Sequence, residues 1–278
     1  MSNKIIEHHG AKIHSCDFNQ RVYLADLGNG NTEKVISKVD EVAQDKNYSK
    51  VFAKVPESKV DEFFDNGYYS EALVPGFFKG DEAVHFAVKY FDQKRRELTN
   101  REVVVDVISK ARSEQTYEKS DHDLDESFFV RELNDSDAED MAKIYDKIFQ
   151  TYPFPIHDPN YLKQVMGEHV RSFGVFYNDR LVALAACEMD FKNLNVEMTD
   201  FATLNEFRGK KLAYLLLEKM EQKMREEGFF TAYTIARSLS FGMNLTFSRK
   251  GYEYSGLLKN NTNISGSIES MNVWYKTL

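Results

Sequence analysis

Cysteine, proline and tryptophan are scarce in this 278-residue chain, which has two, five and one of them respectively. Cys16 and Cys187 lie far apart in the sequence, which excludes a disulfide framework and makes a reducing, cytoplasmic compartment the expectation. No window is long and apolar enough to span a bilayer. The opening stretch MSNKIIEHHGAKIHSCDF lacks the apolar centre of a secretory signal, so no membrane partner is expected. Its His8, His9, His14 and Cys16 match no closed zinc spacing, and the sequence predicts a mobile N-terminus and no metal there. Cationic excess is missing as well. Asp and Glu number 44 against 36 Lys and Arg, a net charge of −8. No basic face dominates, so nucleic acid is not an expected partner. The same acidity suits a small-molecule amine.

What is present is enough apolar residue, 42%, for a substantial core. Residues 21–27 (RVYLADL) read as a strand, GNGN as a turn, and residues 32–45 as a helix with Val35, Val39 and Val42 on one face. SKVFAKV reads as a strand, Pro56 and Glu57 open a helix, and YYSEALVPGFF and AVHFAVKYF pair as strands. Residues 92–127 are charged, with helix expected around 103–111, and their acidic end has linker composition. The expected division is therefore 1–120, a smaller α/β domain with its linker, and 121–278.

The second half opens with strand FFVREL and a helix over 138–149 capped by Asn134 or Asp135. A short helix over 160–166 follows, then a hairpin turning at Asn178–Asp179 and strand NVEMTDFATL. The helix over 210–227 aligns Leu212, Leu216, Met220 and Met224. Strand FFTAYTIA, a helix over 240–250 closed by Gly251, and strands YEYSGLL and SMNVWYK complete the chain. The polar stretch NNTNISGS reads as the loop between those last two strands. The tails FFDNGYYSEALVPGFFKGDEAVHFAVKYF and FSRKGYEYSGLLKNNTNISGSIESMNVWYK share one element order, which suggests a degenerate internal repeat.

The junction FATLNEFRGKKLAYLLLEKM runs from strand to helix through Arg208, Gly209, Lys210 and Lys211. A plain connector needs only turn chemistry. Orphan N–H groups at a helix start, a residue without Cβ and nearby cations together suit an anion such as a diphosphate. With the surrounding element order, this junction resembles the GNAT superfamily of acetyl-CoA-dependent N-acetyltransferases. That family places its phosphate loop, Q/R-x-x-G-x-G/A, after the fourth strand. Here the slots fall on Glu206, Gly209 and Lys211, so the first and third depart from the pattern. Within the superfamily, DNGYYSEALVPGFFKG, TAYTIARSLSFGMN and NNTNISGSIESMNVWYK are similar to the β-lysine N-acetyltransferases, over about residues 21–275.

The resemblance implies a mixed, mostly antiparallel central sheet flanked by helices, a GNAT-type α/β (α+β) fold, preceded by a smaller α/β domain. It implies acetyl-CoA as co-substrate, bound by Ala202, Thr203, Leu204, Phe207, Arg208, Gly209, Lys210, Lys211, Leu212 and Ala213. It implies acetylation of the N6 amine of L-β-lysine to give N6-acetyl-β-lysine, a compatible solute. Another small amine, a polyamine, or a CoA-binding protein without turnover are the alternatives. The amine must lose a proton as it attacks. Glu197 or Asp200 is the expected base and the other a structural or substrate-binding carboxylate, with Asp200, three residues on, expected on the opposite strand face. The family's usual tyrosine acid falls on Phe247, which cannot donate a proton, so Tyr252, Tyr233, Tyr254 or solvent takes that role. Arg237 is the candidate fork for a substrate carboxylate, with Tyr233 beside it. Glu188, Asp190 and Glu269 are candidates for a second amine. The first half either packs on the second or buries a homodimer interface.

Overall fold

The computed structural model describes residues 3–115 and 126–278. The division expected near residue 120 lies outside the described residues. One sheet contains β1 (Asn3–His8), β2 (Ala11–Cys16), β3 (Arg21–Asp26), β4 (Lys50–Pro56), β5 (Tyr69–Phe78) and β6 (Glu82–Tyr90), ordered β1-β2-β3-β4-β6-β5. Helices α1 (Thr32–Asp45) and α2 (Val60–Asp65) belong to this half. After α3 (Gln93–Arg96) and α4 (Arg101–Ser113) comes the second half. Its strands are β7 (Phe128–Glu132), β8 (Val170–Tyr177), β9 (Arg180–Asp190), β10 (Asn195–Thr203), β11 (Thr231–Arg237), β12 (Glu253–Ile264) and β13 (Ser267–Thr277), ordered β7-β8-β9-β10-β11-β13-β12. Helices α5 (Ala138–Ile148), α6 (Pro159–Glu168), α7 (Leu212–Glu226) and α8 (Phe241–Arg249) accompany them.

Leaving β7 aside, the two orders coincide element for element. Strands β1-β2-β3-β4-β6-β5 correspond to β8-β9-β10-β11-β13-β12. Each sheet has one parallel pair, β3–β4 and β10–β11, bridged by one helix, α1 or α7. A parallel pair requires such a crossover, whereas the antiparallel pairs β1–β2, β2–β3, β5–β6, β8–β9, β9–β10 and β12–β13 are joined by short turns. The repeat expected from the two tails is thus present across whole halves.

Local sequence explains the elements. Val35, Ile36, Val39, Val42 and Ala43 recur at helical spacing and are buried on α1, and the Asn31 side chain caps it at the Lys34 N–H. Asn178 and Asp179 both have positive φ, 47° and 62°, the backbone that a two-residue hairpin with right-twisted strands requires. Two expectations are corrected. Residues 3–16 are not a loose arm but the β1–β2 hairpin, turning at His9 and Gly10 with φ of 48° and 79°. The stretch 260–264 is not a loop. It lies inside β12, with a register shift between Leu258 and Thr262 that takes up Asn260 at φ 42°.

The halves dock through β5 and β12. Gly256 carries no side chain because an added Cβ would stand 2.1 Å from the Glu71 carbonyl oxygen. The Ser255 hydroxyl donates to the Leu73 carbonyl (2.7 Å), and Arg95 Nε donates to the Asn260 carbonyl (2.6 Å). One apolar cluster crosses the seam, joining Phe52, Phe77, Phe86 and Val88 to Tyr233, Leu258, Met271 and Val273. Helix α4 packs against α8, where the Ser248 hydroxyl donates to the Ala111 carbonyl.

Candidate active site

The parallel pairing of β10 with β11 runs from Asn195↔Thr231 only as far as Glu197↔Tyr233. Beyond it β10 stays with β9 to Thr203↔Ala183, and β11 stays with β13 to Arg237↔Met271. The strands splay, and a cleft of about 880 Å³ opens between them. Thr203, Phe207, Arg208, Gly209, Lys211, Leu212 and Ala213 line it from the β10–α7 junction.

That junction leaves its donors free. The Phe207 and Arg208 N–H groups are spent on Leu204 and Asn205 carbonyls, and the next N–H to return to the chain is Tyr214, on Lys211. Among the described residues, the N–H groups of Gly209 to Ala213 have no partner. Lys211 precedes α7 in a left-handed conformation and supplies no side-chain cap. Gly209 has φ +80° and open space for 4 Å where a Cβ would stand. An anion can therefore approach the helix tip, where free donors and the helix dipole favour it. Three of the expected binders are placed elsewhere. The Leu204 N–H is occupied by the Val182 carbonyl, Ala202 is buried in the core, and Lys210 does not line the cleft.

The corresponding junction of the first half is closed. A Cβ on Gly28 would meet the Gly10 oxygen at 2.2 Å, and one on Gly30 the His9 oxygen at 1.8 Å. The β1–β2 turn fills the space, and the Asn31 side chain occupies the Lys34 N–H. The repeat has kept the topology and lost the anion cradle.

Three carboxylates line the open cleft: Glu188, Glu197 and Asp200. Glu188 and Glu197 are direct cross-strand partners on β9 and β10. Asp200 joins them, which corrects the expectation that it faces away. Thr199 pairs with Ala186 but Ala202 pairs with Leu184, so β10 carries one extra residue here, and Asp200 takes φ +58°. This bulge breaks the alternation and turns the carboxylate to the same side. The Tyr152 hydroxyl donates to Asp200, as does Thr199 Oγ1 at 3.1 Å. Burial pushes all three carboxyl groups up, with neighbouring groups adding to it or opposing it. Glu188 reaches about 8, with Glu197 and Asp200 as further causes. For Glu197 burial dominates, opposed by Lys54 and by a hydrogen bond with Tyr233. For Asp200 burial is opposed by Tyr152 and Thr199.

Lys54 comes from β4 of the first half. Its ammonium donates to the Tyr233 hydroxyl at 2.9 Å and lies 5.2 Å from that ring's centre. Burial alone would pull its pKa down; Tyr23, Tyr233 and Glu197 more than offset this and hold it well above the ordinary value.

Other expected residues are redistributed. Arg237 lines the cleft, but its Nε and Nη2 grip Glu269 at 3.0 and 2.7 Å. Glu269 is thereby taken and does not line the cleft, so it does not receive a second amine. Asp190 accepts from Asn193 instead. Tyr252 is fully buried against Phe247, 5.1 Å between ring centres, and outside the cleft lining. Phe247 does line the cleft and packs on Phe201. The sequence reading did not include Lys54, Tyr152 or Arg21, all of which line the cleft, and it weighed His14, which lines it too, only as a metal ligand; Asn261, from the polar stretch NNTNISGS, also lines it. The first three belong to no local motif; Lys54 and Arg21 could have been suspected only as charges on strands otherwise apolar.

Residues 138–240 match the model of the acetyltransferase (GNAT) family. The chain is 43% identical over 274 residues to the β-lysine N(6)-acetyltransferase of Methanococcus maripaludis, covering 98% of each chain. It is 29% identical to the enzyme of the same description from Methanosarcina mazei, over 90% of this chain and 98% of that one. It is 28% identical to N-acetyltransferase YodP of Bacillus subtilis, over 94% of each. An open anion-binding helix tip beside splayed strands is what a thioester with a diphosphate arm requires, and with a relative this similar along almost its entire length the chain belongs to the GNAT family of acetyltransferases.

Proposed function

We propose that this acetyltransferase moves the acetyl group of acetyl-CoA to the N6 amine of a free diamino acid, L-β-lysine, giving N6-acetyl-β-lysine. The observation that carries the chemistry is the meeting, in one cleft, of the open helix tip with three half-buried carboxylates. Acetyl-CoA supplies an activated acyl carbon. The Gly209 to Ala213 amides and the Lys211 ammonium hold its phosphates, and a Cβ at Gly209 would crowd that approach. The substrate choice is supported by the relatives from Methanococcus maripaludis and Methanosarcina mazei, which carry that description.

The amine arrives charged, and the acidic wall of Glu188, Glu197 and Asp200 attracts it. A carboxylate of ordinary acidity would take its proton poorly, because the gap from an ε-ammonium is about six pK units. Burial narrows that gap by raising all three carboxyl groups. Glu197 accepts the proton. It lies at the last paired position before the strands part, beside the opening, where Lys54 opposes the burial that pushes its pKa up. The leaving thiolate is protonated from solvent, since Phe247 stands where a tyrosine acid would be expected and Tyr252 is buried elsewhere.

Purified protein with acetyl-CoA is offered β-lysine, lysine and spermidine, and products are read by mass shift. β-Lysine is acetylated fastest. A clear preference for spermidine, or acetyl-CoA binding without turnover of any amine, overturns the reading. Glu197→Gln is expected to lower kcat by about 100-fold with a smaller change in KM.

A further inference from the structure

Among the described residues, one buried arginine of the cleft forms no ion pair. Arg21, at the start of β3, is 8% exposed and lines the cleft wall contributed by the first half. Its Nη1 donates to the Asn261 carbonyl oxygen at 2.7 Å, and its Nε has no partner. Its plane rests over Tyr23 and Phe52, with Cζ 5.6 and 5.3 Å from their ring centres. The neighbouring cations are better provided. Lys50 pairs with Glu71 at 3.2 Å and also donates to the Lys259 carbonyl. Arg95 gives its donors to Asn260, Ser49 and Asn19. Arg237, the other arginine with the reach to hold a substrate carboxylate, is held by Glu269 on two nitrogens.

A buried, unpaired guanidinium is costly in a folded protein unless something anionic is to join it. Beside it are unused polar atoms. Asn261 Oδ1 and His14 Nε2 are buried without partners, and both residues line the same cleft. An acceptor next to an unpaired cation is the pattern that an amino-acid head group fills, with its carboxylate on the cation and its neighbouring ammonium on the acceptor. The acidic wall that receives the reacting amine is linked to this point by a continuous path. Arg21 and Lys54 both overlook the Tyr23 ring, at 5.6 and 5.8 Å, and Lys54 reaches Tyr233, the strand partner of Glu197.

We infer that Arg21 binds the carboxylate of the amino-acid substrate, with Asn261 Oδ1 taking the adjacent ammonium, so that the first half of the chain supplies the specificity for a zwitterion over a bare polyamine. The inference rests on the proposed acetylation of a diamino acid. It gives the first half a function despite its closed helix tip. The cleft is cationic at the first half's wall and acidic at the β9–β10 wall, which orients a substrate that carries both charges.

The test compares β-lysine with its carboxamide, which keeps both amines and loses the anion. In the wild type, kcat/KM favours the acid by about 100-fold, the scale set by losing a charge-assisted pair in a desolvated site. In Arg21→Gln that preference falls to within about threefold, through KM for the acid. Arg21→Lys keeps part of it, because the charge remains while the fork is lost. The wild-type ratio needs no variant, so a failure of Arg21→Gln to fold does not shield the inference. A wild type that acetylates acid and amide equally well overturns it, as does an Arg21→Gln protein that keeps the full preference. If β-lysine is not a substrate but lysine is, the β-lysine assignment fails alone, and the acid–amide ratio for lysine decides the role of Arg21. If only amines without a carboxylate are turned over, both fall.

Discussion

Lys54 and Tyr233 are 179 residues apart in sequence, yet the Lys54 ammonium lies 2.9 Å from the Tyr233 hydroxyl. The contact joins the first half of the chain to the residue that pairs with Glu197 across β10 and β11. The degenerate half thus reaches into the electrostatics of the candidate base.

Lys54→Met removes the one cation that lowers the Glu197 pKa. The Glu197 carboxyl then stays protonated to higher pH. The acidic limb of the kcat/KM profile moves toward alkaline pH. Activity at pH 7 falls accordingly. A pH–rate profile is the measurement, and an unmoved acidic limb would separate Lys54 from the base.

Glu188 has no hydrogen-bond partner among the described residues, and burial with two carboxylate neighbours raises it from 4.5 to about 8. The folded chain therefore keeps a proton there that the unfolded chain has released. The stability this contributes is complete below about 4.5 and is lost as pH rises through about 8. Glu188→Gln is uncharged throughout. It should melt with the wild type at pH 5 and about 3 °C or more above it at pH 9, the shift for roughly one kcal/mol in a chain of this size. Melting curves at the two pH values decide it, and an equal difference at both would count against the repulsion.

Gly209→Trp fills the open space at the helix tip and places a side chain at φ +80°. Acetyl-CoA affinity is expected to drop about 100-fold by calorimetry, as phosphate contacts to main-chain donors are lost. The strained backbone costs about 1 kcal/mol, so the variant still folds. Normal acetyl-CoA binding would mean the cradle lies elsewhere.

Tyr252→Phe tests one of the tyrosines offered in place of the family's usual acid. The hydroxyl is buried and has no hydrogen-bond partner. Its removal should leave kcat within about twofold and leave stability unchanged or slightly improved. A large fall in kcat would return Tyr252 to the reaction.

Much of the fold was legible because its signals are local. The valine spacing of α1, the Asn178–Asp179 turn and the strand–glycine–helix junction at Gly209 each depend on a few adjacent residues. The β1–β2 hairpin was missed because polar and histidine-rich strands lack the apolar alternation that marks a half-buried sheet. The stretch 260–264 was misread for a related reason. Its asparagines look like loop residues, and contacts with Phe18, Asn19 and Arg95 of the other half take up several of their polar groups within a strand.

The sequence by itself determined the repeat of strand order, the open glycine turn and the presence of Glu188, Glu197 and Asp200 on two neighbouring strands. Tertiary structure alone decided which of these charges work together. A one-residue bulge, which alternation cannot foresee, brought Asp200 to the face of Glu197. Docking of β5 on β12 carried Lys54 and Arg21 into the cleft, and the ion pair with Glu269 occupied the Arg237 guanidinium at the cleft wall. The physical reason is that secondary structure follows from near neighbours, whereas the ionisation and partners of a buried charge are set by groups hundreds of residues away and by the water their packing excludes.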